Sequence, residues 1–198
     1  MTSTLDVAFT PAVREVQARR GSRRAYENFE RRGGFESEIT PELAEFIAAR
    51  DSFFFATANA SLQPYVQHRG GPAGFLHVLD ARTLGFADHR GNRQYITLGN
   101  LAENPRAFMF LMDYRERTRI KIWGTARVVE DDAALIARLA PPGYDARPEQ
   151  AILFTVTAWD ANCPQHIPRL YAESEVDAMK AAYESRIAEL EARLRDER

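Results

Sequence analysis

Four stretches between Gln67 and Lys121 carry side chains able to hold a planar, phosphorylated molecule. They are Gln67-His68-Arg69-Gly70-Gly71, Ala87-Asp88-His89, Asn92-Arg93-Gln94 and Arg119-Ile120-Lys121. Guanidinium forks match phosphate oxygens, and backbone N–H groups in turns add donors. The amides of Gln67, Asn92 and Gln94 can both donate and accept, which suits hydroxyls and the heteroatoms of a ring edge. Glycines 70 and 71 let a ligand approach the backbone, although a Gly pair marks a barrel corner or bulge equally well. An arginine on a turn is by default a solvated charge, so Arg93 gains meaning only from its neighbours.

A further cluster, Asp160-Ala161-Asn162-Cys163-Pro164-Gln165-His166-Ile167-Pro168, follows the last apolar run. Gln165 and His166 are the candidates there for contact with a cofactor or substrate, and a rigid connector is the competing reading. Cys163 beside His166 suggests a nucleophile pair, but no third group to orient it is identifiable. Histidines 68, 77, 89 and 166 lack metal-ligand spacing, so no metal site is expected. The chain has no glycine-rich dinucleotide fingerprint, no G-x-x-x-x-G-K-S/T loop and no G-x-S-x-G elbow.

The elements that must position these residues are short strands. Runs 53–58, 63–69, 75–80, 83–87, 107–112, 119–129 and 151–159 are apolar or alternating and are separated by turn residues. So many strands with few long crossovers predict an antiparallel barrel. Thr40-Pro41-Glu42 starts a helix with Leu43, Phe46 and Ile47 on one face. Residues 131–137 predict a short helix, and Pro105 ends another at Asn104. From about Ser174 a long helix is expected, with Val176, Met179, Tyr183, Ile187, Leu190 and Leu194 in one apolar stripe. The expected organisation is a helical segment over 1–50, a barrel over 51–170 and an amphipathic helix over 171–198, all in one structural domain.

The order of these motifs resembles the pyridoxamine 5'-phosphate oxidase-like family, whose members bind FMN in a split β-barrel. The likeness runs over about residues 40–170 and is clearest over 67–126. It implies a mainly β, antiparallel split barrel with flanking helices, and FMN as cofactor. Cofactor contacts are implied at Gln67, His68, Arg69, Gly70, Ala87, Asp88, Asn92, Arg93, Gln94, Arg119, Gln165 and His166. Arg93 falls where the family holds the flavin phosphate. Gln94 stands where a lysine is common, so Arg69 or Arg119 would supply the missing charge. The segment rich in Trp and Arg that true oxidases use to grip substrate is not found after Trp159, which points to an oxidase-related branch.

That resemblance also implies a homodimer in which both chains hold each flavin. The expected function is an FMN-dependent oxidoreductase acting on an unidentified small molecule, with a nicotinamide or other electron donor. Flavin binding without turnover, or use of a deazaflavin or haem, are the alternatives. No catalytic residue is identified.

Composition bounds the rest. Lys+Arg number 26 against Asp+Glu 28, for a formal net charge of -2, which offers no electrostatic case for nucleic acid or a membrane surface. No apolar run reaches the roughly 18 residues of a membrane span, and the N-terminal residues lack a signal-peptide pattern. With one cysteine, no internal disulfide can form, and a reduced, cytoplasmic protein is expected.

Overall fold

The computed structural model describes residues 3–162 and 164–196. Cys163, and with it the Cys163–His166 reading, lies outside the described residues. The chain forms two compact units, residues 1–112 with 119–163, and residues 113–118 with 164–198.

The first unit opens with a single 3-10 turn, Thr4–Val7, capped by Ser3. Helix α1 (Pro11–Arg20) starts at a Thr10 cap with proline in its first turn and stops at Gly21, whose φ is 80°. Helix α2 (Arg23–Arg31) follows. The arginines of this zone are partly spent internally: Arg14 bonds Asp6 at 2.8 Å and Arg23 bonds Glu30 at 2.7 Å. Leu5 and Phe35 then bury a satellite cluster in which Phe35 stacks on Trp123 at 5.2 Å. Helix α3 (Pro41–Ala48) has the expected Thr40 cap, and its Leu43 and Ile47 are buried.

Seven strands form one sheet: β1 (Ser52–Ala58), β2 (Pro64–Gly70), β3 (His77–Asp80), β4 (Thr83–His89), β5 (Arg106–Asp113), β6 (Thr118–Val129) and β7 (Pro148–Asn162). Their order is β2-β1-β5-β6-β7-β4-β3, and the β1–β2, β1–β5, β3–β4, β4–β7 and β6–β7 pairs are antiparallel. Helix α4 (Ile96–Glu103) joins β4 to β5, and α5 (Ala133–Leu139), capped by Asp132, joins β6 to β7. The antiparallel barrel read from the strand pattern is therefore the observed architecture.

The sheet curls because alternate residues of distant strands share one aromatic core. Phe86 of β4 meets Phe53 of β1 edge-on at 5.3 Å, and Phe55 meets Phe154 of β7 at 6.3 Å. The curl also needs a bulge between Trp123 and Gly124, where β6 bends against β7. A Cβ on Gly124 would stand 2.1 Å from the Thr155 carbonyl oxygen, so only glycine fits. The curl brings β2, an end strand of the sheet, beside β4, with which it shares no ladder in the strand order.

In the second unit, α6 (Glu173–Asp196) is a 24-residue helix, and Arg115 makes an ion pair with Glu175 in its first turn. No helix among the described residues is long and apolar enough to cross a membrane.

Candidate functional site

Strand alternation decides which residues of the Gln67–Gly71 motif can act together. Tyr65, Gln67 and Arg69 lie on one face of β2 and line an open cleft. His68 points to the other face, where its ring meets Phe54 at 5.7 Å. A second cavity, lined by His68, Gly70 and Ala87, shares Arg69, Asp88 and His89 with the cleft. Gly71 answers to local packing, since a Cβ there would stand 2.9 Å from the Cβ of Phe75.

The floor of the cleft is a buried charged network that crosses from β2 to β4. Arg69 Nη1 forms an ion pair with Asp88 Oδ1, with side chains 13% and 5% exposed. The second carboxylate oxygen of Asp88 accepts from Gln150 Nε2 of β7 at 2.6 Å. Arg69 Nε is buried and has no hydrogen-bond partner among the described residues. Both ring nitrogens of His89 are likewise buried and unpartnered, and its ring meets Tyr144 edge-on. Burial holds the His89 imidazole below its ordinary pKa; Arg69 adds to this and Asp88 opposes it. The ring is therefore biased toward its neutral form.

One wall is the loop after β4. Gln94 N donates to Asn92 Oδ1, and Asn92 Nδ2 donates to Gln94 Oε1, so these two side chains brace the turn. Arg93 and Tyr95 have φ of 62° and 53°, a conformation that costs non-glycine residues energy. Arg93 Nε donates to the Tyr95 hydroxyl at 3.3 Å, which raises the guanidinium pKa further. Among the described residues Arg93 has no carboxylate partner within ion-pair distance. The acids of the cleft are already engaged: Asp88 by Arg69 and Gln150, and Glu149 by Arg90 at 3.6 Å.

The loop delivers the N-terminus of α4 to the cleft, where Ile96, Thr97 and Leu98 line it. Tyr95 occupies the N-cap position with no side-chain cap. The first-turn N–H groups therefore lack the acceptor that a Ser or Asp cap would provide, and they carry the positive end of the helix dipole. Two bonds pin the helix: Thr97 Oγ1 donates to Gln67 Oε1 at 3.0 Å, and Asn100 Nδ2 donates to Thr57 Oγ1 at 2.9 Å. At the far end Asn104 turns the chain, its Oδ1 accepting from Arg106 N.

The cleft thus gathers Gln67, Arg69, Asp88, Asn92, Arg93 and Gln94 from the sequence-based set. Ala87 faces away and packs with Leu139 and Ala151. Arg119, the second residue of β6, pairs with Asn162 at the end of β7 remote from Gln150, and does not line the cleft. Gln165 and His166 belong to the second unit, where both are exposed and His166 has a φ of 63°. Sequence reasoning missed Tyr65, His89, Tyr95, Thr97, Glu149 and Gln150. The only early signal for Gln150 is its place at the head of the last strand; its pairing with Asp88 depends on the β4–β7 register.

The model of the pyridoxamine 5'-phosphate oxidase family matches residues 39–163, which span the whole barrel. The chain is a member of that family. Among solved structures of similar fold is HupZ from Group A Streptococcus, at 17% identity and a TM-score of 0.52, with 67% of this chain and 99% of that one covered. A single-substitution variant of HupZ aligns at 19% identity and a TM-score of 0.51, over 63% and 99% of the two chains. An FMN-binding protein from Syntrophomonas wolfei subsp. wolfei aligns at 12% identity and a TM-score of 0.46, over 74% and 97%. No curated protein matches the chain. The match to the oxidase family and the split barrel agree with the resemblance read from residues 40–170.

Proposed function

We propose that the cleft binds FMN through its phosphate and that the protein is an FMN-dependent oxidoreductase. The observation that carries this reading is the uncapped N-terminus of α4 opening into the same cleft as the Nε of Arg69 and the guanidinium of Arg93, the first without a hydrogen-bond partner and the second without an ion-pair partner among the described residues. Such a set of donors suits a dianion, because helix N–H groups and arginine forks both favour phosphate. Asn92 and Gln94 bring to the same cleft amides that suit polyol hydroxyls. Tyr65 and Tyr95 supply aromatic surface beside them.

When bound, the flavin supplies hydride or single-electron chemistry. The chain's own part is to bind and orient. Arg93 and the α4 N–H groups hold the anionic end, Gln67 is fixed by Thr97, and Asp88 is neutralised by Arg69 so that it does not repel the phosphate. A nicotinamide nucleotide is the electron donor of this reading, and a small molecule is the substrate. Membership of the oxidase family supports a flavin, and the missing Trp- and Arg-rich segment after Trp159 argues against pyridoxamine phosphate as substrate.

The test is to identify the ligand of the purified protein and then reduce it. Flavin absorbance, with FMN released on denaturation, supports the cofactor; a Soret band or a deazaflavin spectrum overturns it. Reduction by NADH or NADPH in stopped flow supports an enzyme. A bound flavin that no nicotinamide reduces would mark a binding protein without this turnover.

A further inference from the structure

The second unit carries a surface that the cleft does not use. None of the residues of α6 is buried. Met179, Tyr183, Ile187, Leu190 and Leu194 are all exposed, Tyr183 to 71% and Leu194 to 60%. They do not scatter round the helix. Val176, Met179 and Tyr183 recur as Ile187, Leu190 and Leu194, so the apolar spacing of three, four and four residues repeats once. An eleven-residue repeat keeps one stripe straight along a helix of about 36 Å, and such a repeat is the signature of helices that pair lengthwise.

Four of the charges that border the stripe repeat with it and change sign, while Glu173 and Glu184, also eleven residues apart, keep theirs. Glu175 and Arg186 stand on one flank, Lys180 and Glu191 on the other, each pair again eleven residues apart. The stripe is therefore complementary to itself. In a parallel pair, Glu175 of one helix faces Lys180 of the other, and Arg186 faces Glu191. In an antiparallel pair, Lys180 faces Glu191 across the opposite side, while Val176 meets Leu194 and Met179 meets Leu190. Either way apolar meets apolar and each of these facing charges meets its opposite, the pattern by which flanking residues select partners in coiled coils. The pairs that compete for these charges, Arg186–Glu189 and Lys180–Asp177 within the helix and Arg115–Glu175 at its first turn, are at least partly solvent-exposed and compete only weakly.

We propose that α6 is a self-association element whose apolar stripe is covered by α6 of a second copy of this chain. This goes beyond the reading of the cleft and does not depend on it. It assigns the expected homodimer, or one of its contacts, to a helix outside the barrel.

The experiment uses the full chain with Cys163→Ser, so that one introduced cysteine is the sole thiol. Tyr183 lies near the middle of α6, so Tyr183→Cys faces its counterpart within one helical turn in either orientation. A short bismaleimide should then convert most of the protein to a covalent dimer. Ser185→Cys, at the same height on the opposite face, should cross-link far less. Adding Ile187→Glu and Leu190→Glu to the Tyr183→Cys protein should abolish the product while the circular dichroism of the barrel is retained. Absence of a Tyr183→Cys dimer, or equal yields from positions 183 and 185, overturns the proposal. So does persistence of the dimer after both glutamate substitutions. A barrel-mediated dimer with distant helices would give no cross-link at Tyr183→Cys and is thereby distinguished.

Discussion

Arg69 on β2 and Asp88 on β4 form an ion pair across two strands that no backbone ladder joins. Side chains close the barrel there: the carboxylate takes the guanidinium on one oxygen and the Gln150 amide on the other. The same arginine reaches over the Phe86 ring at 5.9 Å, so the seam is tied to the aromatic core as well as to the cleft.

Removing one partner of such a pair leaves a buried charge uncompensated. Asp88→Asn should therefore destabilise the protein by about 3 kcal/mol, near the lower end for broken buried pairs because the amide still offers Arg69 a carbonyl. Inorganic phosphate should stabilise the variant more than the wild type, since Arg69 is then free to meet an anion. Urea unfolding with and without phosphate checks both statements. A loss below about 0.5 kcal/mol would show that the pair is solvated and does not hold the seam.

Much of this arrangement was legible beforehand, and the limit was long-range register. The strand runs, the Thr40 cap and the Asn104 turn are local features and could be read from neighbouring residues. Arg69, Asn92, Arg93 and Gln94 were recognisable because their residue types cluster in sequence. Gln150 and Thr97 were not, since each acts through a partner 62 and 30 residues away. His68 shows what strand alternation adds: its neighbours on both sides line the cleft, while the two-residue period turns it to the opposite face.

Glycine substitutions separate the barrel's geometry from its chemistry. Gly124→Ala sets a methyl group against the Thr155 carbonyl at a distance no relaxation of a side chain can relieve. It should cost about 3 kcal/mol and broaden the unfolding transition, because the β6 bulge must shift. Gly99 lies inside α4 with nothing near its missing Cβ. Gly99→Ala should stabilise the protein by roughly 0.5–1 kcal/mol and leave ligand affinity unchanged. Thermal unfolding of the two variants should move in opposite directions.

His89 predicts a pH dependence. Burial lowers its pKa in the folded state below the ordinary 6.5. The unfolded chain then holds more protons than the folded one between the two values, so stability rises with pH through that window. The contribution is complete above the ordinary value and is lost as pH falls below it. His89→Phe keeps an aromatic edge for Tyr144 but cannot titrate. Between about pH 7.5 and pH 5.5 the wild type should lose more stability than the variant. Parallel curves over that range would mean that the imidazole titrates as it does in water.

Arg93 decides whether the cleft reads phosphate. Its left-handed backbone and its bond to Tyr95 hold the guanidinium on the loop that ends at the α4 N-terminus, and no carboxylate among the described residues lies within ion-pair distance of it. Arg93→Ala should weaken FMN binding roughly ten- to hundredfold, the range expected for losing a charge-assisted contact to a dianion. Riboflavin, which lacks the phosphate, should bind both proteins alike. Arg93→Gly supplies the control for the loop. It loses the same charge but relieves the positive φ, so its FMN affinity should fall as far as that of Arg93→Ala while its thermal stability is higher. Titration calorimetry with the two flavins measures the difference directly. If FMN and riboflavin lose affinity equally in Arg93→Ala, the arginine shapes the loop and the phosphate lies elsewhere. If Arg93→Gly alone recovers FMN binding, backbone strain and not charge had limited it.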